Sequence, residues 1–351
     1  MKKRVISLAA AAVFVLGTLT GCGNTSDSST QTTKEAASSD TSASEEQLVT
    51  VRDAVMTGQL DQYATEIGLW QGIFEKYGID LQTTEFVAGI NTIDAVVNGT
   101  ADIGMMADYA AVNRLGNTLD ATNLQIFSQI SGGQAALSGG LYVDPQYADD
   151  PKSLDGSAGF MYQEGTVTYY YASKCIEYLG LDESKQNLIN TDSSQTRLAL
   201  IQKGGASAVY ANGSEAKYIE DAGWVQVATS QEIGIQTGSY FLATDTYISE
   251  NKEILAKFLQ AVDESTQYIN DNLDESAEYL AGKLGVKAED FKENWKNYSF
   301  EPGFSEEATT HLEDIEKWGF EHGSFPTDYN IRDFIVTDVA KIAFPDKVTI
   351  K

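Results

Sequence analysis

Two stretches of this chain, about a hundred residues apart, read alike, a spacing too long for a stacked repeat and suited to a pair of similar halves. In the first, Ala95-Val96-Val97-Asn98-Gly99-Thr100-Ala101-Asp102-Ile103 ends a helical pattern, stops it on glycine and enters an apolar strand. In the second, Ala199-Leu200-Ile201-Gln202-Lys203-Gly204-Gly205-Ala206-Ser207-Ala208-Val209 repeats that order. Helix, glycine and strand occurring twice predict two like α/β units, and 351 residues leave room for both.

The first unit opens with an extended segment over 48–55 and a loop over 56–61. Tyr63, Ile67, Trp70 and Phe74 then fall on one face of a helix, which Gly78 is suited to stop. Strands are expected over 80–86, 124–130 and 136–143, and a helix from Asp108, its N-cap, to Gly116. The second unit reads as strands over 158–162, 187–191 and 225–228, with helices over 167–179, 194–203 and 214–222. Residues 234–244 are extended and carry the chain back. Beyond them come charged amphipathic helices over 251–284, 288–298, 305–320 and 331–344, with Leu255, Phe258, Leu259, Val262 and Thr266 on a common face.

The order Gly68-Leu69-Trp70, Phe74-Glu75-Lys76-Tyr77-Gly78, Asn98-Gly99-Thr100-Ala101-Asp102-Ile103-Gly104 and Asp108-Tyr109-Ala110 resembles the solute-binding proteins of ABC importers. The resemblance is to the nitrate, sulfonate, taurine and thiamine-precursor group, the SsuA/THI5-like or NMT1-type periplasmic-binding-protein family. It implies a two-lobed type II periplasmic-binding-protein fold, α/β, with a central cleft and a helical C-terminal extension. Lobe 1 is expected over 48–140 and 240–351 and lobe 2 over 141–239. Ser153-Leu154-Asp155-Gly156 resembles the family's lead-in to the second lobe, with Asp155 in the lysine position. Ser207 replaces the acid usual in the family, so a role for that position does not carry over. The implied function is capture of a small molecule between the lobes and delivery to an ABC permease, by a monomer without a cofactor or metal. A ligand-sensing receptor component and a THI5-like pyrimidine-synthesis enzyme are the alternatives.

The leader points the same way. Lys2, Lys3 and Arg4 precede an apolar run over 5–16 that is too short to span a bilayer. Leu19-Thr20-Gly21-Cys22 resembles the lipobox of bacterial lipoproteins, in which Cys22 would be the first mature residue and carry the lipid. An ordinary signal peptide with an incidental cysteine is the other reading. Residues 1–22 are thus a lipoprotein signal peptide and 23–47, rich in Ser, Thr and acids, a disordered tether. The expected location is the extracellular face of the cell membrane, lipid-anchored. Cys175 is the remaining cysteine, has no partner if Cys22 is lipidated, and reads as a small buried hydrophobe. A formal charge of −27, from 51 acids against 24 bases, argues against nucleic acid as a partner.

In open α/β sheets ligands lie beyond the carboxyl ends of strands, near helix N-termini. That rule nominates Thr57, Gln59, Asp61, Asp108, Tyr109, Gln129, Tyr162, Glu164, Thr166, Tyr210 and Asn212 as ligand-binding. Each also has a bland reading. Thr57 and Gln59 suit a turn, Asp108 a helix cap, the tyrosines a core, and Glu164 a solvated loop. These loops hold Asp61, Asp108 and Glu164 but no Lys or Arg; Arg52, Arg114 and Arg197 lie inside elements. Tyrosines with carboxylates suit a flat, nitrogen-bearing aromatic ligand, while helix N-termini still admit an anion. His311 and His322 are expected at the surface, away from all these loops.

Overall fold

The computed structural model describes residues 48–133, 139–154, 159–296 and 298–350. The leader, Cys22, the tether and Asp155 lie outside these described residues. Glu46–Lys351 form one compact unit.

The first half runs β1 (Val49–Met56), α1 (Leu60–Trp70), α2 (Ile73–Lys76), β2 (Ile79–Phe86), α3 (Gly89–Val97), β3 (Ile103–Ala107), α4 (Asp108–Thr118) and β4 (Leu124–Gly133). The second runs β5 (Gly139–Val143), β6 (Gly159–Tyr162), α5 (Val167–Tyr178), β7 (Asn187–Asn190), α6 (Ser194–Gln202), β8 (Ala208–Asn212), α7 (Gly213–Asp221), β9 (Val225–Thr229) and α8 (Ser230–Ile233). Then follow β10 (Thr237–Thr244), α9 (Asp245–Glu250), α10 (Lys252–Asp271), α11 (Leu273–Leu284), α12 (Ala288–Trp295), α13 (Glu306–Glu321) and α14 (Asp338–Ala343).

Two five-stranded sheets result, ordered β2-β1-β3-β10-β4 and β7-β6-β8-β5-β9. They have one topology. β1 pairs parallel with β2 and β3, and β6 pairs parallel with β7 and β8. β10 lies antiparallel between β3 and β4, and β5 antiparallel between β8 and β9. The repeated sequence therefore maps α3–β3 onto α6–β8. Gly99 and Gly204 hold the same place in it at φ 76° and 65°, a left-handed conformation that costs a side-chain-bearing residue and not glycine. The crossing strands pair from Gly139 (β5) in the second sheet and from Thr237 (β10) in the first. This is the two-lobed type II periplasmic-binding-protein architecture, with a helical C-terminal part.

Some boundaries differ from those read in the sequence. The helix expected through Phe74 breaks after Trp70, and α2 carries Phe74 into the core separately. α4 runs past Gly116 to Thr118; there the glycine seats Phe325, whose ring atoms would stand 2.6 Å from an added Cβ. The helix expected over 251–284 divides at Asn272, whose N–H and Nδ2 both donate to the Tyr268 carbonyl and close α10. The last expected helix is a short 3-10 turn, Ile331–Phe334, followed by α14.

The α10 stripe of Leu255, Phe258, Leu259, Val262 and Thr266 is buried, with α10 packed on α1, α2 and α14. Each fully buried Leu, Phe or Val there contributes about 1.5–3 kcal/mol. The other face of the first sheet belongs to a second core. It continues from Ala54, Tyr109 and Leu115 through Trp318 of α13 to Tyr170, Phe160 and Tyr210 of the second half. α13, expected behind the cleft on lobe 1, packs on both α4 and α5 and so joins the halves.

Two acids are buried where β1 leads into α1: Asp53 of β1 and Asp61 in the first turn of α1. Neither Asp53 oxygen finds a protein partner, whereas Asp61 Oδ2 accepts the Met56 N–H at 2.9 Å. Burial pushes Asp53 well above the usual carboxylate range, with the Asp61 charge adding to it, and burial raises Asp61 from 3.8 to about 7. Both pKa values rise on folding, so the folded state binds the protons more tightly, and the stability this confers is lost as pH climbs from about 4 through 7. Holding the Asp61 proton to about 7 is worth at most about 4 kcal/mol. The melting temperature should therefore fall between pH 5 and 8, and the Asp53→Asn/Asp61→Asn double variant should show a shallower fall in the same calorimetric scans. Equal slopes for the two proteins would contradict the assignment.

Candidate functional site

A cavity of 620 Å³ opens where the two halves meet. Its walls are the start of α3 (Ala88, Gly89, Ile90), the end of β3 and one face of α4 (Ala107, Asp108, Tyr109, Ala110, Asn113, Arg114, Asn117), and the start of α5 (Gly165, Thr166, Val167). Met106, Tyr171 and Thr237 also line it. Three helices thus begin at the cavity, as the strand-end rule requires. The α3 start lies close against β3; a Cβ on Gly89 would stand 3.2 Å from the Met105 carbonyl oxygen.

Asp108, Tyr109 and Thr166 are the nominated residues that line this cavity. Thr166 caps α5, its hydroxyl oxygen accepting the Thr168 N–H and its O–H donating to the Gln163 carbonyl. Tyr109 is buried, with its hydroxyl 3.3 Å from Ser324 Oγ, and burial raises its pKa. Asp108 is not the helix cap: Ala107 holds that position and Asp108 is the first helical residue. Its Oδ1 accepts the Tyr109 N–H at 2.7 Å. Its Oδ2 accepts the Gly238 N–H and the His311 Nε2–H, both at 2.8 Å. The carboxylate therefore serves three donors, from α4, β10 and α13.

The histidines are a correction to the sequence reading. His311 is 9% exposed and bonded to a cavity residue, and it also lines a separate crevice of 310 Å³ beside α13. His322 stacks on Trp318, centroids 4.2 Å apart, with Nδ1–H donating to the Trp318 carbonyl. Spacing along α13 places both on its packed side, which the polar sequence around them concealed.

The other nominees lie elsewhere. Thr57 is exposed in the β1–α1 turn, Gln59 precedes α1 without a side-chain cap bond, and Asp61 is buried in the first turn of α1. Gln129 is buried in β4, with Nε2 3.4 Å from the Ser131 carbonyl. Glu164 is exposed and accepts from Asn190 Nδ2. Asn212 is exposed at the end of β8. Tyr210 is buried, bonded to Ser230 Oγ at 3.0 Å, and burial pushes it up to about 12. Tyr162 is half-buried against Tyr169. The nominated tyrosines nonetheless share one chain of ring contacts: Tyr162–Tyr169–Trp318–Tyr109 on one branch, Trp318–Tyr170–Tyr171–Tyr210 on the other.

The sequence reading missed Gly89, Ile90, Asn113, Arg114, Asn117 and Tyr171. The rule used there looks at loops, whereas α4 contributes a whole helix face at three- and four-residue spacing. Of the three arginines noted inside elements, Arg52 pairs with Asp102 and Arg197 with Glu215, while Arg114 lines the cavity.

Sheet order, paired halves and a cavity between them define a periplasmic-binding-protein fold. The NMT1/THI5-like family matches residues 67–276, and the chain belongs to that family. No curated protein matches it in sequence. Its structure is similar to the periplasmic aliphatic sulphonate binding protein SsuA from Escherichia coli, with TM-score 0.67 and 16% identity over 82% of this chain and 92% of that one. It is similar to the periplasmic nitrate-binding protein NrtA from Synechocystis PCC 6803, with TM-score 0.57 and 16% identity over 86% and 91%. It is also similar to the desulfurization enzyme DSZB, with TM-score 0.60 and 12% identity over 84% and 99%. At these identities the likeness is one of fold, and a fold that carries both binding proteins and an enzyme leaves the activity to the site.

Replacing one Asp108 oxygen by an amide NH2 sets a donor against the donors that oxygen served and removes the charge they shared. Asp108→Asn should cost about 2–4 kcal/mol in urea unfolding. A double-mutant cycle with His311→Gln should show at least about 1 kcal/mol of coupling between the two positions. Additive losses would mean that the contact holds nothing together.

Proposed function

We propose that this protein is an extracytoplasmic, lipid-anchored solute-binding protein that captures a small organic molecule between its lobes and delivers it to the permease of an ABC importer. The observation that carries this reading is a single cavity with walls from α3 and α4 of one half and α5 of the other. A ligand touching both walls favours the closed arrangement by its differential affinity, which gives a permease a shape to recognise. The lipobox-like Leu19-Thr20-Gly21-Cys22 supports tethering at the outer face of the membrane.

The sulphonate and nitrate named for the two binding-protein neighbours set the range of solutes considered first. A volume of 620 Å³ and a wall of Tyr109, Tyr171, Met106 and Val167 suit a solute with an apolar or aromatic body better than nitrate alone. Organic sulphonates and thiamine-pyrimidine-like heteroaromatics both meet that description. Carriage is favoured over catalysis by the state of the candidate groups. The Asp108 carboxylate already accepts three hydrogen bonds, and burial holds the Cys175 thiol far above its usual range.

A calorimetric screen of sulphonates, pyrimidines, flavins and amino acids should find a ligand that also reduces the radius of gyration in small-angle scattering. Ala107→Trp, which fills the cavity from an exposed strand end, should weaken that ligand about a hundredfold or more while leaving the melting temperature nearly unchanged. Unaltered affinity in this variant, or turnover of the bound compound, would count against the carrier reading.

A further inference from the structure

The end of α13 carries an imidazole whose tautomer its neighbours fix. His322 Nδ1 lies 2.8 Å from the Trp318 carbonyl oxygen, and a carbonyl only accepts, so Nδ1 bears a proton. In a neutral ring that leaves a lone pair on Nε2. Nε2 faces Glu183 Oε1 at 3.4 Å. Lone pair and carboxylate then oppose each other. A second proton, on Nε2, turns the same contact into an ion pair. Glu183 Oε1 also accepts the Ser173 hydroxyl at 3.0 Å, which holds the carboxylate in place. The two side chains are 23% and 27% exposed, so solvent protons reach the pair.

This contact crosses the junction of the halves. α13 is tied to the first half by hydrogen bonds: His311 to Asp108, and beyond the helix Ser324, whose Oγ meets the Tyr109 hydroxyl and whose carbonyl accepts Asn117 Nδ2 at 3.0 Å. To the second half it presents ring edges instead. Trp318 meets Tyr169 and Tyr170 of α5 at centroid distances of 5.0 and 5.4 Å, both T-shaped. Ring contacts of this kind are weakly directional and survive a tilt, whereas an ion pair at one fixed distance does not. Beside them α5 and α13 stand apart around a crevice of 740 Å³, which leaves room for such a tilt.

Three neighbours face the imidazole: Glu183 from the 3-10 turn Glu183–Lys185, Tyr169 from α5 at a centroid distance of 5.6 Å, and Trp318 from its own helix. Burial raises the Tyr169 pKa and the Glu183 charge adds to it, so this phenol stays neutral through the range in which histidines titrate. The other charged groups of the crevice are Lys174 and Glu177 on α5, paired at 2.7 Å, and Asp314, Lys317 and Glu321 on α13. Carboxylates and ammonium groups ordinarily keep one charge between about pH 5 and 8, whereas imidazole changes its own.

We propose that His322 and Glu183 form a proton-operated latch between the halves. A charged imidazole ties α13, and with it the first half, to the turn after α5; a neutral one releases that turn and lets the second half tilt on Trp318. The latch stands independently of what the cavity binds.

The test is a pulsed electron-spin distance measurement on the full chain carrying Cys22→Ser, with labels at Gln82→Cys of β2 and Lys217→Cys of α7. Both positions are exposed and lie in different halves, and buried Cys175 stays unlabelled. The distance distribution should be narrow at about pH 5 and broader at about pH 8. His322→Gln should remove this response and give the broad distribution at both values. Glu183→Gln should do the same, while its amide oxygen still serves Ser173. The Asp53 and Asp61 titration lies within the first half and is common to all these proteins, so it does not imitate a response that His322→Gln removes. The inference is overturned if the unsubstituted pair of residues gives one distribution at both pH values, or if His322→Gln keeps the response. A response lost in His322→Gln but kept in Glu183→Gln would overturn it too, since the proton would then act through another partner.

Discussion

The charge of Asp108 is held at one point by donors from three separate parts of the chain. Tyr109 supplies the N–H of the helix that starts there, Gly238 that of the strand returning from the second half, and His311 a ring N–H from α13. The carboxylate is 2% exposed, so without those donors its ionised form would pay the full cost of leaving water. With them, one side chain that lines the cavity joins the start of α4, the start of β10 and α13.

The rest of the junction is apolar. Trp318 and its neighbouring tyrosines form a ring network in which α13 touches both α4 and α5. Aromatic pairs of this kind add about 0.5–1.5 kcal/mol each beyond their buried area. α13 is therefore a strut across the two halves, and any hinge motion must slide over it or carry it along. Asp108 lines the cavity, and its partner His311 lines the separate crevice beside α13.

Much of the fold was legible because its signals are local. The glycine stops, the apolar stripe of α10 and the twice-used helix–glycine–strand order each depend on neighbours within a few turns. Elements were misread where a distant contact overrides local pattern. Gly116 continues a helix because Phe325 packs on it, and the stretch after Phe334 is not one helix although its composition allows it. The site was legible only in part. Of the residues nominated from strand ends, Asp108, Tyr109 and Thr166 line one cavity, while the same rule spread the other nominees over the turns and cores of both halves.

By itself, then, the sequence determined the elements, their duplication into like halves and the family they belong to, since periodicity, glycine placement and motif order are properties of short segments. Only the tertiary structure decided which side chains share a cavity. Asp94 and Arg114 meet because α3 packs on α4. Asp108 and His311 meet across some two hundred positions because the crossing of β10 between β3 and β4 folds the C-terminal part back onto the first half. No local pattern encodes a contact made by that crossing, which is why a histidine that reads as a surface residue ends beside a carboxylate that reads as a cap.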